Sequence, residues 1–318
     1  MENDPINKIR NILQSPRDAS VKVKEVWGKF ARMRNQQAEL SWTDSNYIAA
    51  NYINMAISGR PDVNWLVDAL NNFVVTEVNW ALNLGCGGGD IELYAKQKNM
   101  VRNFDSIDIS PEAIRVAIER TSKENLKGLN FRACNINDFE SSENKYDVVF
   151  AAASLHHFDK LEVVFEKVKT CLKKDGFFVY SEYVGPSRFQ WTDEQLEIMN
   201  DIIKMLPSSF RIDHLQNGGV KEEIRRMSIQ EMILMDPSEA IRSAEIIPLT
   251  EKNFRIVKRV DYGGTLLFML LQGIIPNFKL SDPKDKSIFD LILYLERKLI
   301  ESKVLSSDFA YVVAKNIK

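Results

Sequence analysis

The sequence of 318 residues predicts an α/β fold in which helices cover both faces of one β-sheet. From Asn79 onward, short apolar runs alternate with helical stretches, which is the pattern of parallel strands joined by helices. A glycine-rich turn, Gly85 to Gly89, follows the first of these runs. The apolar content of 45% is typical of a globular protein, and the three widely spaced cysteines predict neither a disulfide framework nor a zinc motif.

Residues 1–76 are predicted to form an amino-terminal helical cap. Their apolar residues recur at spacings of three and four, which is the helical period. The segment Gly59 to Asp62 interrupts this pattern, and Asp62 is expected to cap a short helix that ends at Phe73.

Residues 77–185 are predicted to be the core, with five strands and three helices. The expected strands are Trp80 to Leu84, Asn103 to Asp108, Leu129 to Ala133, Tyr146 to Ala151 and Gly176 to Ser181. The expected helices are Ile91 to Lys98, Pro111 to Ser122 and Lys160 to Leu172. Pro111 directly after Ser110 favours a helix start, because a proline lacks the N–H that would be unpaired there.

A helical insertion, residues 186–235, interrupts the alternation, and residues 236–318 are expected to complete the core. Helices are expected at Thr192 to Met205 and Ser228 to Met235, and Asp236 with Pro237 has the pattern of a further helix start. Two last strands are expected at Asn253 to Val260 and Asp308 to Lys315. The longest apolar run, residues 265–275, is about half the roughly 20 residues that cross a bilayer, and it predicts a buried helix.

The charge balance disfavours whole classes of partner. Lysine and arginine total 42 against 44 acidic residues, so the net charge is -2 and no block of like charge occurs. A broad basic field for nucleic acid or an anionic membrane is therefore not expected. The first 13 residues lack the apolar centre of a secretory signal, so a cytoplasmic location is predicted. The oligomeric state stays open.

The strongest chemical signal is the glycine loop, in the sequence ALNLGCGGGD. Glycines let the backbone approach a ligand closely, and the N–H groups of the following helix face the same space. Asp108 ends the next strand, where a carboxylate can accept both hydroxyls of a ribose. Asp90 occupies the third glycine position of the dinucleotide pattern, and no Gly-Lys-Ser/Thr follows. The sequence favours a ligand with adenosine but no phosphate; a simple tight turn and a capping role for Asp108 are the alternatives.

Five segments carry a resemblance to a known family: LNLGCGGGD, FDSIDISPEAI, FRACNIND, YDVVFAAASLHHF and LKKDGFFVYSEY. In these segments the chain resembles class I S-adenosylmethionine-dependent methyltransferases of the small-molecule type, and the resemblance covers residues 80–185 closely. DFAYVVAKN resembles the reversed last strand of that fold, and later segments resemble bacterial members with a helical lid. The resemblance implies a Rossmann-like, seven-stranded mixed sheet in the order 3-2-1-4-5-7-6, with S-adenosylmethionine as cofactor and S-adenosylhomocysteine as product.

The resemblance also implies a set of cofactor-binding residues at the ends of the first four strands. They are Asn83, Gly85, Cys86, Gly87, Asp108, Ile109, Asn135, Ile136 and Ala152. Asp108 would hold the ribose hydroxyls, and Ile109 would pack on the adenine. Asn83 stands where the family often has an acidic residue, so it could hydrogen-bond but could not pair with the ammonium group of the cofactor.

Two histidines after the fourth strand, His156 and His157, are the candidate catalytic residues. An imidazole with a pKa near 6.5 is suited to take the proton of a hydroxyl acceptor. The sequence does not separate the two histidines, and a purely structural role in the loop is the alternative. His214 is a further candidate base, although its surroundings favour a surface position. No acidic ligand set can be assembled from the sequence, so no metal site is predicted.

Substrate-binding residues are expected near the end of the fifth strand and in the cap, because ligands of open α/β sheets bind outside the carboxyl ends of the strands. They are Trp42, Tyr47, Glu182, Tyr183, Arg188, Gln190 and Trp191. Arginine, glutamine and tryptophan would suit a polar acceptor such as a sugar or carboxylate. An ion pair between Arg188 and Glu182 and a core position for Trp191 are the alternatives.

Together these features predict an S-adenosylmethionine-dependent methyltransferase of small-molecule biosynthesis that methylates a hydroxyl of a small polar molecule or glycan. Three alternatives stay open: N-methylation of a small amine, a cofactor-binding regulator without catalysis, and a nicotinamide-dependent oxidoreductase. AAASLHH replaces the Asn/Asp-Pro-Pro-Phe/Tyr motif after the fourth strand, which disfavours methylation of an exocyclic amine on a nucleobase.

Overall fold

The computed structural model of the chain describes residues 21–28, 39–74, 77–140, 142–216 and 218–318. Much of the predicted helical cap therefore lies outside the described residues. Within them, a helix at residues 21–28 (α1) is followed by a helical segment (α2) that runs through Asn46–Ile48, a π-helical stretch Ala49–Asn54 and Met55–Ser58.

A seven-stranded sheet forms the centre of the molecule. Its strands are β1 (Val78–Leu84), β2 (Val101–Asp108), β3 (Leu129–Ala133), β4 (Tyr146–Ala152), β5 (Leu172–Tyr183), β8 (Arg255–Gly263) and β9 (Phe309–Lys315). Their spatial order is β3-β2-β1-β4-β5-β9-β8. The first five strands are parallel, and β9 runs antiparallel to both of its neighbours. Because β8 and β9 are the sixth and seventh strands of this sheet along the chain, the predicted order 3-2-1-4-5-7-6 is confirmed.

Helices connect the strands and cover both faces of the sheet. They are α3 (Trp65–Asn72), α4 (Asp90–Gln97), α5 (Pro111–Lys123), α6 (Leu161–Cys171), α7 (Asp193–Met205), α8 (Ile229–Met235), α9 (Ile246–Asn253), α10 (Leu267–Leu270) and α11 (Pro283–Glu301). Phe104 and Phe150 pack on one face with the cap and α11, whereas Val149 and Phe178 pack on the other face with α6 and α9. Burial on both faces explains the continuous apolar runs of the strands.

The insertion after β5 contains α7, α8 and a small two-stranded sheet, β6 (Ile212–Asp213) with β7 (Gly219–Val220). Both of its helices begin with a capping box. The side chains of Thr192 and Ser228 accept a hydrogen bond from the backbone N–H three residues later, and the backbone N–H groups of the two caps donate to the side chain of that later residue. The two helices predicted in this segment are confirmed within a residue at each start. No helix among the described residues is both long and apolar enough to cross a membrane.

Two predicted helices differ from the structure. The cap of α3 is Asn64, whose side chain accepts from the backbone of Val67, while Asp62 forms an ion pair with Arg60. The apolar run at residues 265–275 forms only the single turn of α10, because the chain turns at Gly273, where φ is 78°.

The prediction of a helix that starts at Asp236 is also wrong. The Asp236 carboxylate accepts from the backbone N–H of Ser238 at 2.8 Å and from its hydroxyl at 2.7 Å, which closes a turn. Ala240 then adopts a left-handed conformation, with φ of 45°, that an α-helix does not allow. The next α-helix, α9, begins only at Ile246.

Candidate cofactor and acceptor site

The glycine loop is fixed to the end of the neighbouring strand. The backbone N–H groups of Gly85 and Cys86 both donate to the carbonyl of Ile107, at 2.8 and 3.0 Å. Gly85 has a φ of 70°, and a Cβ atom there would lie 2.5 Å from the Cβ of Ser154. Only glycine therefore permits this close approach between the ends of β1 and β4.

Asp108, at the end of β2, points at the glycine loop. Its Oδ2 accepts from the N–H of Gly87 at 2.9 Å, and its Oδ1 accepts from the N–H of Ser110 at 2.8 Å. A carboxylate has about four lone-pair sites, so two remain for ligand hydroxyls. Burial raises the pKa of Asp108, and the two backbone donors oppose that shift. A Cβ on Gly87 would meet no atom of the described residues within 4 Å, so the loop leaves space for a ligand beside this carboxylate within the described part of the chain.

The turn after β3 lies next to Asp108. The N–H of Cys134 donates to the Asp108 carbonyl at 2.8 Å. Asn135 then accepts from the backbone within the turn, and Lys167 donates to three carbonyls of the same turn. The predicted adenine-flanking residues Asn135 and Ile136 therefore lie on a firmly held segment beside the ribose-binding candidate. Their contact with a cofactor stays a prediction.

Asn83 does not face the loop; it points into the interior beneath α4. Its Nδ2 donates to Glu92 Oε1 at 2.8 Å, and the hydroxyl of Ser106 donates to the same oxygen at 2.5 Å. Glu92 is fully buried, and burial raises its pKa. The carboxylate missing at position 83 is thus present one turn into the following helix. Sequence reasoning missed Glu92, because Asn83 and Ser106 are brought to it only when α4 packs on the sheet.

Glu182 of β5 organises the loop after β4. Its Oε2 accepts from the N–H groups of Ser154 and Leu155 at 2.8 and 2.7 Å, and its Oε1 is hydrogen-bonded to Nδ1 of His156. The side chain is fully buried. Glu182 was predicted to bind substrate; instead it positions His156, because the side chain is fully buried and both of its oxygens accept hydrogen bonds from the chain.

His156 lies between two carboxylates. Nδ1 of His156 contacts Glu182, and Nε2 lies 3.4 Å from Oε1 of Glu239. Burial opposes charge on His156, but Glu182 and then Glu239 outweigh that effect and raise the pKa of His156 to about 10. Near neutral pH this ring already carries its proton, so it is a poor acceptor for another.

His157 has the opposite protonation state to His156. Its Nδ1 lies 3.2 Å from the hydroxyl of Ser238, which itself donates to Asp236, so the ring donates from Nδ1. Its Nε2 is buried and has no hydrogen-bond partner among the described residues. Burial, followed by the charge of His156, lowers the pKa of His157 to about 4. His157 is therefore neutral with an available lone pair, and the structure separates the two histidines that the sequence could not.

Glu239 reaches the histidines on the turn that sequence analysis read as a helix start. The N–H of Ile241 donates to the His156 carbonyl at 3.0 Å, and Arg188 donates from its backbone to Ala240 at 2.6 Å. The Arg188 guanidinium donates to the Glu239 carbonyl at 3.1 Å. Arg188 thus holds the turn and makes no pair with Glu182. Sequence reasoning missed Glu239, because no local motif links it to the histidines.

Helix α1 covers the same region. Trp27 packs edge-on against His157, with ring centroids 4.6 Å apart, and Lys22 donates to the carbonyl of Leu234 at the end of α8. A Cβ on Gly28 would lie 3.2 Å from the hydroxyl of Ser110, so the helix also reaches the loop after β2. Helix α1 therefore contacts both the cofactor side and the acceptor side.

Most of the other predicted substrate residues lie in the hydrophobic core. Trp42 is fully buried and packs against Tyr262 and Phe309. Tyr47 donates to Asp290 of α11 at 2.6 Å, away from the histidines. These two residues were predicted to close the pocket, and the structure assigns them to cap packing because large aromatic rings are stabilised by burial.

The remaining predicted substrate residues form the base of the insertion. Trp191 is buried and stacks on Phe189 at 5.2 Å, and Gln190 donates to the carbonyls of Arg188 and Met227. Tyr183 is buried but lies edge-on to His156, with ring centroids 6.2 Å apart. His214 is exposed and bonds to Asn277 at 2.9 Å, in line with the predicted surface position.

Part of the chain is similar in sequence to known proteins. Residues 80–235 match the family described as Methyltransferase domain. Malonyl-[acyl-carrier protein] O-methyltransferase 2 of Ilyobacter polytropus is 26% identical over 172 residues, which cover 49% of this chain and 65% of that protein. The probable phthiotriol/phenolphthiotriol dimycocerosates methyltransferase 2 of Mycobacterium ulcerans is 26% identical over 101 residues, covering 32% of this chain and 38% of that protein. The chain thus spans less than two thirds of the length of these relatives.

A solved structure shares the fold over nearly the whole chain. Phosphoethanolamine N-methyltransferase 2 of Haemonchus contortus, in complex with S-adenosyl-L-methionine, has a TM-score of 0.51 at 15% identity and covers 98% of this chain and 60% of that one. Together with the sheet order, this likeness confirms the predicted fold, which is that of class I S-adenosylmethionine-dependent methyltransferases. Residues 80–235 match a methyltransferase domain, and together with the methyltransferase relatives this match supports the predicted S-adenosylmethionine-dependent methyltransferase.

Proposed function

We propose that this chain transfers a methyl group from S-adenosylmethionine to a hydroxyl oxygen of a small polar molecule or glycan. The observation that carries the proposal is the Nε2 atom of His157, which is buried and has no hydrogen-bond partner in the described part of the chain. His157 lies in the loop that follows β4. This loop is tied to the end of β1 by the hydrogen bond from the Ser154 hydroxyl to the Leu84 carbonyl. The relatives named O-methyltransferase support an oxygen acceptor.

The residues around the glycine loop fit an adenosine ligand. When bound, the cofactor supplies a methyl carbon that leaves the sulfur as the acceptor oxygen bonds to it. Gly85 and Gly87 allow the backbone to approach the ligand, and Asp108 has lone pairs left for the two ribose hydroxyls. These groups are held by backbone hydrogen bonds before any ligand arrives, so little ordering is needed on binding.

A hydroxyl acceptor must lose its proton, and we assign that proton to His157, whose lowered pKa makes it a weaker base than a free imidazole. Ser238 donates to Asp236 and accepts from Nδ1 of His157, which fixes the tautomer with its lone pair on Nε2. His156 cannot serve in the same way because both of its ring nitrogens lie against carboxylates. Trp27 shields His157 from water, which favours transfer to the acceptor over loss to solvent.

The polarity of the acceptor follows from the polar groups at the site. Glu239 and Asp236 lie beside the histidines, and Oδ2 of Asp236 is buried without a partner in the part of the chain that the structure describes. Buried polar groups cost free energy unless they are hydrogen-bonded, so a ligand with several hydroxyls would stabilise this site better than an apolar one.

Cofactor binding is tested first, with the spent cofactor. S-adenosylhomocysteine at a hundredfold excess over its dissociation constant should stabilise the chain by about 2.7 kcal/mol, measured as a rise in melting temperature. The absence of any shift at millimolar concentration would contradict the cofactor site.

The acceptor is tested with labelled S-adenosylmethionine and a panel of hydroxyl, carboxylate and amine compounds. Methylated hydroxyl compounds are the expected products, and a double variant of His156→Asn with His157→Asn should lose them. An amine needs no base once it is neutral, so products from amines alone, retained in the double variant, would overturn the oxygen proposal. A chain that binds cofactor but forms no product with any compound would indicate a regulator.

A further inference from the structure

We infer that His156, His157 and Glu239 form a binding site for a divalent transition-metal ion of the zinc type. Each of these side chains can place one ligand atom within 4.8 Å of the other two. Two imidazoles and one carboxylate are a ligand set that suits zinc and its neighbours in the first transition series. Sequence analysis predicted no metal site, because the turn that carries Glu239 lies some eighty residues beyond the histidines.

His156 is oriented as a metal ligand would be. Metal-binding histidines almost always donate their other ring N–H to a carboxylate, a carbonyl or water. In this chain Nδ1 of His156 is engaged by the fully buried Glu182, which leaves Nε2 directed at Glu239, 3.4 Å away. An ion would lie between these two atoms and His157.

His157 repeats the pattern with a different partner. Its Nδ1 is engaged by Ser238, which is held by Asp236, and its Nε2 has no partner among the described residues. A buried nitrogen without a partner is unusual, because an unsatisfied polar atom is destabilising. A metal ion would satisfy this atom, and at His156 it would replace the Nε2 proton that faces Glu239.

The third ligand is held in place by the backbone. Hydrogen bonds from Ile241 to His156 and from Arg188 to Ala240 tie the turn of Glu239 to the histidine loop. Among the described residues, the Glu239 side chain retains an exposure of 16%, which gives an ion access to this ligand. The three ligands are thus assembled before the ion binds.

Binding of the ion has a consequence for catalysis that rests on the proposed function. The ion would use the Nε2 lone pair of His157, which is the atom assigned above to the hydroxyl proton. A loaded site would therefore inhibit methyl transfer. Metal binding itself does not depend on the proposed function.

The experiment uses the full chain without a polyhistidine tag, treated with EDTA and then dialysed. Zinc binding is measured by equilibrium dialysis, and cobalt binding by its visible absorption, which reports the ligand geometry. One ion per chain is expected. His157→Asn and Glu239→Gln should each weaken binding by more than about 100-fold, and Glu182→Gln by about 10- to 100-fold. His214→Asn, at the exposed histidine, should bind as the unchanged chain does.

The outcomes separate the two proposals. No binding at micromolar metal, or binding that survives both His157→Asn and Glu239→Gln, would overturn the metal site. Circular dichroism establishes that the variants are folded. Because Glu239 is partly exposed, Glu239→Gln is the substitution least expected to disturb folding. If zinc binds as expected while methyl transfer continues, the site stands and His157 is not the base. A chain without transferase activity would leave the binding result intact.

Discussion

The cofactor side and the acceptor side of this site are built in different ways. On the cofactor side, the glycine loop and Asp108 belong to one β-α-β unit, and backbone N–H groups hold the carboxylate. On the acceptor side, His157 and Glu239 come from segments far apart in the chain, and charged side chains hold one another. The comparison shows that local sequence suffices to build a cradle for a common cofactor, whereas the acceptor chemistry depends on tertiary contacts of the insertion and the turn after it.

The largest expected effect tests the acceptor side. His157→Asn should lower the rate of methyl transfer to hydroxyl acceptors by about 100- to 10,000-fold, which is the usual contribution of a general base. Cofactor affinity should stay unchanged, because His157 makes no contact with the glycine loop or Asp108 in the described structure. Initial rates at saturating cofactor measure the effect, with His214→Asn as the control. Equal loss in both variants would show that the role assigned to His157 is mistaken.

The next effect tests the cofactor side. Asp108→Asn should weaken binding of S-adenosylhomocysteine by about 10- to 100-fold, because hydrogen bonds to a charged group contribute about 1.5–3 kcal/mol. Isothermal titration calorimetry measures the dissociation constant. Asp201→Asn, at an exposed aspartate on α7, is the control and should bind normally. Unchanged affinity in Asp108→Asn would mean that this carboxylate only organises the loop.

A third effect concerns folding rather than binding. Gly85→Ala should destabilise the chain by about 2–5 kcal/mol, because the new Cβ meets the Cβ of Ser154 at 2.5 Å and φ is positive. Gly59→Ala is the matched control: its φ of 73° is similar, but a Cβ there meets nothing within 4 Å. That control should lose only about 1–2 kcal/mol. Equal losses in thermal denaturation would show that the contact between the ends of β1 and β4 is loose.

The cofactor side could be predicted because its signals are contiguous. Glycines after an apolar strand and an aspartate at the end of the next strand specify a turn and a carboxylate whose relative position follows from parallel pairing. The predicted sheet order and the orientation of Asp108 agree with the structure. Glu92 escaped prediction because its partners, Asn83 and Ser106, are joined only when α4 packs on the sheet.

The acceptor side could be predicted only in part, because its residue types do not reveal which side chains contact one another. Aspartate followed by proline is a helix-start pattern, and only the bonds from Ser238 to Asp236 and the left-handed Ala240 turn it into a loop. Aromatic residues such as Trp42 favour a ligand pocket and a core equally in sequence, and the structure places Trp42 in the core. The histidines were proposed from their position, but Glu182 and Glu239 raise the pKa of His156, whereas burial and then the charge of His156 lower that of His157.

The smallest expected effect concerns the buried carboxylate of the cofactor side. Burial raises the pKa of Glu92 above its ordinary value, although Ser106 and Asn83 oppose the shift. The folded chain therefore binds this proton more tightly than the unfolded chain does. The resulting stabilisation is fully present below the ordinary pKa and is lost as the pH rises through the folded value.

Glu92→Gln removes this titration while its side chain can still accept from Ser106 and Asn83. Relative to the variant, the free energy of unfolding of the unchanged chain should fall as the pH rises from 4 to 8, because the folded chain holds this proton more tightly than the unfolded chain does. Urea denaturation at both pH values measures it, with Glu124→Gln at an exposed position as control. A difference that does not change with pH would mean that Glu92 titrates alike in both states. Glu92 would then make no contribution to the pH dependence of stability on the cofactor side.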